Sequence, residues 1–404
     1  MKKVAIAALA AFLLAGCSTG STAQQATTQA GVTASSAPAT AAKLVGPGEE
    51  AAADTVPWAE VGPGWLLTTW SPVPAQDGFD KLGAATTTLY LVNPDGGRYP
   101  LTAFPPPGAA YTPQLIDWSG DGSHALFSDW GTKKIADTST ALLVDLHTGA
   151  KTSVAVDGDT RFTRPDGKAL LRTNSPGTEG PARLDRYDLT GKHQLTYPVD
   201  KLDGTFNGNY LSTPDGTRLV LGTNAGLVRI GNDGTIGATL PVPGYTDCSP
   251  TRWWDDSTIL ASCNVDSGTD NYASQLWLVP VDGSAPSALT KPNDGSTGPD
   301  YADLNAWKLP AGTLVQAAGG CGTLLLVKLN PDGTTTKLDV PHTEGSVNVI
   351  GVNGAHLVLQ SHNGCERGES LLDYDPATNT STALLGPSIN GGGVLNTVAY
   401  ADQG

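Results

Sequence analysis

Four cysteines in the body of the chain, Cys248, Cys263, Cys321 and Cys365, are the residues best suited to covalent chemistry. Their even number suits disulfides formed in an oxidising compartment. A zinc site would call for C-x-x-C spacing with a His at a recurring interval, and the sequence has neither. Hydrolytic chemistry has fewer handles. There is no G-x-S-x-G elbow, H-E-x-x-H pair or G-x-x-x-x-G-K-[ST] loop. His362 stands among abundant Ser and Asp, but a triad is defined by geometry and not by counting residue types. Two carboxylates for glycoside cleavage can be drawn from many pairs, Asp266 with Glu366 among them. The stretch Asp266-Ser-Gly-Thr-Asp270-Asn271 offers oxygens to Ca²⁺. It lacks the twelve-residue spacing and terminal Glu of an EF-hand, so a solvated loop is the favoured reading and no cofactor is expected.

Charge narrows the partners. The 404 residues carry 39 Asp and Glu against 24 Lys and Arg, a formal charge of −15. Nucleic acid and anionic membrane surfaces demand clustered cations, so both are excluded as main partners. A cell-envelope protein or a glycan remains. Nine tryptophans, with Trp253-Trp254 beside a turn, could form a sugar platform or serve as packing anchors.

The elements that must position such residues repeat. An apolar strand, a turn of Asn, Asp or Gly and a second strand recur from Leu89 to Gly96, Leu142 to Gly149, Leu184 to Gly191, Leu227 to Gly234, Leu276 to Gly283, Leu326 to Gly333 and Leu371 to Thr378. The turn position is Gly96, Gly149, Gly191, Gly234, Gly283 and Gly333, with Asn379 in seventh place. A second hairpin precedes each, turning at Gly62-Pro63-Gly64, Gly120-Asp121-Gly122, Pro165-Asp166-Gly167, Pro214-Asp215-Gly216, Trp254-Asp255-Asp256, Pro310-Ala311-Gly312 and Asn353-Gly354. Such turns supply the positive φ of tight hairpins. Four strands at a period of roughly 40–50 residues fall in the propeller range. The expected fold is all-β, a seven-bladed β-propeller over residues 55–404, with six or eight blades as the neighbouring counts. Val394 to Tyr400 is left over and is assigned to ring closure beside the first blade.

The stretch Trp118-Ser-Gly-Asp-Gly-Ser-His-Ala-Leu-Phe127 resembles the WSPDGxxIxF repeat of TolB-like and WD40-like propellers. Weaker copies start at Thr163 and Thr213. The resemblance implies a fold and leaves function open.

Within that frame Cys248 and Cys263 are equidistant from the turn at Asp255-Asp256, which predicts a disulfide across one hairpin. Cys321 and Cys365 occupy equivalent connections in the last two blades and could tie them together. The long polar loops gather at the same end, where binding residues concentrate on a rigid scaffold. The candidate binding face comprises Trp130, Lys133, Arg172, Tyr272, His342, His362, Glu366 and Arg367.

The first residues resemble the signal of bacterial lipoproteins: Lys2-Lys3, an apolar run from Val4 to Leu14, then Leu14-Ala15-Gly16-Cys17. The run is too short to span a bilayer, which needs about 20 residues. The resemblance implies removal of residues 1–16 and acylation of Cys17, an N-terminal lipid (palmitate-type) anchor to the cell membrane. Residues 17–54, rich in Ser, Thr, Ala and Gln, read as a disordered tether. The expected function is an extracytoplasmic binding or scaffolding protein that uses its loop-rich face. The alternative is a hydrolase or lyase acting on glycan or peptide at the channel mouth.

Overall fold

The computed structural model describes residues 44–73, 81, 83–107, 113–129, 140–156, 158–174, 182–265, 273–293, 295, 300, 302–343, 345–363 and 368–400. Among the described residues the strands are antiparallel and form six sheets, five of four strands and one of eight; the eight-stranded sheet divides into two four-stranded units, which gives seven. Unit 1 holds β1 (Leu66–Ser71), β2 (Thr87–Val92) and β3 (Arg98–Phe104). Unit 2 is β4 (Gln114–Trp118), β5 (His124–Asp129), β6 (Thr140–Asp145) and β7 (Lys151–Val154). Unit 3 is β8 (Asp159–Phe162), β9 (Ala169–Asn174), β10 (Arg183–Asp188) and β11 (His193–Thr196). Unit 4 is β12 (Phe206–Ser212), β13 (Arg218–Thr223), β14 (Gly226–Gly231) and β15 (Ile236–Leu240). Unit 5 is β16 (Asp247–Asp255), β17 (Thr258–Val265), β18 (Ala273–Pro280) and β19 (Ser287–Ala288). Unit 6 is β20 (Ala302–Leu309), β21 (Gly312–Ala318), β22 (Leu324–Leu329) and β23 (Thr335–Lys337). Unit 7 is β24 (Gly345–Asn353), β25 (His356–Asn363), β26 (Gly368–Asp375) and β27 (Thr380–Leu385). The last strand, β28 (Gly393–Ala399), returns to unit 1 and pairs with β1.

Alternation of side chains builds the ring. Leu219 and Leu221 of β13 pack toward unit 3, whereas Val220 between them packs toward unit 5. Ile259 and Ala261 face unit 4, and Leu260 faces unit 6. Each sheet is therefore apolar on both faces, as the period of two dictates. Apolar clusters fill the spaces between successive units, and one joins Leu66, Tyr90 and Val92 of unit 1 to Val358 and Leu371 of unit 7. β28 touches both β24 and β4, β4 touches β8, and β16 touches both β12 and β20, so these strands lie along the inner side of the units. This is the architecture of a β-propeller.

One detail differs from the sequence reading. Gly62-Pro63-Gly64 is not the turn of a hairpin: the inner strand of unit 1 is β28, from the far end of the chain. The leftover segment is thus a full member of that unit. Units 4 and 5 are also bridged, through Thr223 and Cys248.

The turns explain the repeat. An Asp carboxylate accepts the backbone N–H two residues ahead at Asp121, Asp145, Asp188, Asp215, Asp233, Asp255, Asp282, Asp332 and Asp375. The amides of Thr235, Ser257 and Ser284 are the main reason that Asp233, Asp255 and Asp282 ionise more readily than an ordinary carboxyl. Trp118 is fully buried and its indole N–H donates to the Gly122 carbonyl at 3.1 Å, locking the first copy of the resembling motif. Asn379 takes φ 53°, filling the place that glycine holds in the other units.

Residues 44–61, partly read as tether from their composition, pack on the propeller. Leu44, Val45, Ala51, Trp58 and Val61 lie against the core shared by units 1 and 2. The Ala51 N–H donates to the Arg98 carbonyl, and the Arg98 guanidinium meets Glu50 at 2.9 Å. The Asn93 amide donates to the Val45 carbonyl at 2.8 Å. The strap covers the outer edge of unit 1, which composition alone does not reveal because backbone groups do much of the holding. Among the described residues no helix is long and apolar enough to cross a membrane.

Cys248 and Cys263 face each other across β16 and β17 and form the expected disulfide, both fully buried. They are 15 residues apart, and closing such a loop stabilises by about 3 kcal/mol in the chain-entropy model. Replacing both by Ala is expected to lower the urea midpoint by the equivalent of that amount. An unchanged midpoint would show that the bond adds nothing to stability. The Cys321 side chain and Cys365 lie outside the described residues.

Candidate functional site

Ionisable groups converge where the inner strands of units 2, 3 and 4 meet. A cavity of about 300 Å³ opens there. Asp117 of β4, Asp159, Arg161 and Phe162 of β8, Arg164 of the following turn and Tyr210 of β12 line it. Asp117 is buried. Its carboxylate accepts from the backbone N–H groups of Trp118 at 2.9 Å and Phe162 at 2.7 Å, and from the Arg164 guanidinium at 2.5 Å. A carboxylate so surrounded has most of its lone pairs committed, and it holds Arg164 in place. Arg161 donates to the Ile116 carbonyl and lies 3.8 Å from Asp159.

Two donors are left over. Nη1 of Arg164 and the Tyr210 hydroxyl are buried and have no hydrogen-bond partner. Burial pushes the Tyr210 phenol well above its ordinary pKa, so it stays protonated. Arg161, Asp117, Asp159 and Arg164 all act electrostatically on that hydroxyl, which places it amid the four charges.

Topology sets the end of the propeller at which this cavity lies. Arg164 is in the turn joining the first two strands of unit 3, and Asp117 stands one residue before the end of β4. Antiparallel order puts these turns at the end opposite the long connections where the candidate face was expected. Sequence reasoning missed the cluster because its members come from three units. A trace was there: Thr163-Arg-Pro-Asp-Gly carries Arg164 where the resembling repeat carries Ser.

Of the expected face, Trp130, Lys133, Tyr272, Glu366 and Arg367 lie outside the described residues, as do Cys17 and the Asp266 and Asp270 pair. Arg172 is in β9 and buried, with its guanidinium 3.7 Å from the fully buried Asp185. His342 is exposed in the connection before β24, and His362 is near the end of β25. The structure does not gather these three into one site.

Histidines, hydroxyls and carboxylates do meet elsewhere, in an order unsuited to acyl transfer. The Ser123 hydroxyl donates to Asp121 at 2.7 Å and lies 2.6 Å from Nδ1 of His124. The Thr196 hydroxyl donates to Asp185 at 2.5 Å and lies 3.0 Å from Nε2 of His193. A triad needs imidazole between hydroxyl and carboxylate, so that the ring takes the proton and the carboxylate orients the ring. In both clusters the hydroxyl stands in the middle and its proton goes to the carboxylate. His356 pairs with Asp373 at 2.6 Å, and that hydrogen bond raises the imidazole pKa.

A second buried polar group lies between units 5 and 6. Burial raises the pKa of Asp303, helped by the charge of Asp300. Asn293 donates to Asp303 at 3.2 Å, and the Asp303 N–H donates to the Ser274 hydroxyl at 2.8 Å. Among the described residues no three His, Cys, Asp or Glu side chains form a metal-ligand group.

No family model and no curated protein sequence matches the chain. Solved structures do resemble it. The β-propeller domain of the Trilobed protease from Pyrococcus furiosus, described as having an open velcro topology, is 12% identical over 80% of this chain and 93% of its own, at a TM-score of 0.50. A puromycin-hydrolyzing peptidase from Mycobacterium tuberculosis is 16% identical over 85% of this chain and 56% of its own, at 0.47. TolB from Acinetobacter baumannii is 17% identical over 83% and 66%, at 0.42. The chain thus spans about two thirds of that TolB and just over half of that peptidase. Identities this low establish the propeller fold alone.

Proposed function

We propose that this chain is a lipid-anchored, extracytoplasmic propeller that binds a cell-envelope protein or glycan and does not cleave it. The order of groups at Ser123–His124–Asp121 and Thr196–His193–Asp185 carries the reading. At these two clusters, among the described residues, the hydroxyl proton is held by the carboxylate and so is not passed to the imidazole. The inner-wall cavity is instead lined by Asp117, Asp159, Arg161, Arg164 and Tyr210, polar residues suited to recognising a guest.

The signal-like start and Leu14-Ala15-Gly16-Cys17 support export and anchoring. The buried Cys248–Cys263 disulfide fits an oxidising compartment. Membranes are expected to retain the full chain after a salt wash, because several acyl chains anchor stably. Cys17→Ala is expected to release it to the soluble fraction. Retention of Cys17→Ala on washed membranes would refute the lipid anchor.

Binding is tested by incubating the full chain with purified envelope glycan and envelope peptide fractions. The expected result is retention of one fraction on the immobilised chain with no new reducing ends and no new amino groups. Accumulation of either group in proportion to protein and time would make the chain a hydrolase.

A further inference from the structure

We propose that the outer edge of unit 4, strand β15, takes up an extended acidic segment of a partner protein as an added strand. The inference rests on the binding role above and gives it a surface and a partner chemistry.

This edge is open where the others are guarded. Among the described residues no strand pairs with the outer side of β15. Its residues, Ile236-Gly-Ala-Thr-Leu240, hold no charge and no Pro, and Ile236, Gly237 and Ala238 are exposed. Natural sheets blunt such edges with Lys, short strands or a covering segment. Here Lys151 opens β7, and Lys192 directly precedes β11. β19 has two residues, and β23 has three and ends in Lys337. The strap covers the edge of unit 1, and a short helix, Pro387–Asn390, lies against β27. β15 has none of these devices.

Two cations stand behind the open edge. A cavity of about 600 Å³ lies beside β15, lined by Arg218 of β13, Arg229 and Asp233, and by Ile236 and Gly237 of β15. Val220 pairs with Arg229 and is two residues from Arg218, so both arginines leave the same face of the sheet. Among the described residues neither guanidinium is held in an ion pair. Arg218 acts on Asp215 through its charge alone, and the Asp233 carboxylate accepts the Thr235 N–H. The lining thus sets two cations against one anion, in a protein of net charge −15. Gly237 clears the path from the edge to Arg229. A Cβ there would meet the Arg229 carbonyl oxygen at 3.0 Å and the Arg229 Cβ at 3.4 Å. A strand added to β15 runs two strand spacings, about 10 Å, from β14. A Glu on that strand can reach over Gly237 to the arginine fork.

Charge also selects the occupant. A second copy pairing through its own β15 would set Arg218 and Arg229 against the same two residues, because a two-fold contact is self-complementary. Residues 18–43 of this chain have no Asp or Glu to offer. An acidic strand from another protein suits both features: main-chain bonds supply affinity and alternate side chains supply selection.

Fluorescence anisotropy with the full chain in detergent tests the inference. The labelled probes are the end-blocked peptide Thr-Val-Glu-Val-Glu-Val-Thr, its Lys counterpart, and the Glu peptide N-methylated at alternate residues. The Glu peptide is expected to bind, more weakly as salt rises, and the other two about tenfold or more weakly. Arg218→Gln and Arg229→Gln should each weaken it about fivefold, whereas Lys308→Gln, in unit 6, should not. Arg218 is exposed, so its replacement should leave the thermal midpoint unchanged. A merely structural pair of arginines would lower the midpoint and leave affinity alone. Equal binding of Glu and Lys peptides, or full affinity after N-methylation, would overturn the inference. So would no rise in anisotropy up to about 0.1 mM chain. A dimer of the chain that the Glu peptide fails to dissociate would give the edge to a second copy, which also overturns it. If the inference falls while an envelope fraction is still retained, the binding role stands without strand addition. Loss of that retention as well overturns both.

Discussion

Ending the chain at Gly392 is expected to abolish cooperative unfolding altogether. The truncation removes β28, the inner strand of unit 1, which pairs with six residues of β1. It removes Val394, fully buried, and Leu395, nearly so. It also takes away Tyr400, which meets Trp118 edge-on at 5.0 Å and donates its N–H to the Trp65 carbonyl. Burying a Val or Leu side chain is worth about 1.5–3 kcal/mol, and each backbone hydrogen bond about 1 kcal/mol net. Two such side chains and a ladder of bonds reach most of the roughly 5–15 kcal/mol by which a native protein is stable. The exposed edge of β1 would also offer a template for aggregation. Val394→Asp is the gentler version, with an expected loss above about 4 kcal/mol for an unpaired charge in that interface. Urea denaturation followed by tryptophan fluorescence measures both. A truncated chain with a parental midpoint would mean that the ring does not need its last strand.

Asp117→Asn is expected to cost about 3–5 kcal/mol, although it alters only one charge. Arg164 is largely buried against that carboxylate, and its second edge already lacks a partner. Without the anion the guanidinium is a buried, uncompensated cation. Asn can still accept from one of the two backbone N–H groups that Asp117 serves, so the loss comes mainly from the ion pair. Adding Arg164→Met should restore much of the stability, because replacing a buried pair by apolar groups is often neutral. The coupling in the double-mutant cycle should be on the order of 1–3 kcal/mol. Additive effects would show that the two side chains do not depend on each other.

Much of the fold was legible because its rules are local. Gly96, Gly149, Gly191, Gly234, Gly283 and Gly333 all take positive φ, as their turns require. The Cys248–Cys263 bond followed from counting outward from a hairpin turn, since register is fixed once the turn is known. The inner strand of unit 1 was read only as a leftover, because nothing within Val394 to Tyr400 says how far away its partner lies. The strap at residues 44–61 escaped notice because small residues dominate it and main-chain bonds hold it. The cavity was the least legible part. Asp117, Arg161, Arg164 and Tyr210 are ordinary polar residues until the ring sets three inner strands side by side.

Closure of the ring by its last strand also sets a timetable. The Thr68 hydroxyl bonds to that of Thr397 across 329 positions. Ribosomes add about 5–20 residues per second, so β1 waits roughly 16–66 s for the partner that covers its edge. No local contact can stand in, and pairings of such sequence separation are the slow ones in folding. Units 2 to 7 have no such delay, since every strand of each arrives in one continuous stretch. The part of the chain made first is therefore the last to be finished, and holdase chaperones would find their longest-lived client surface there.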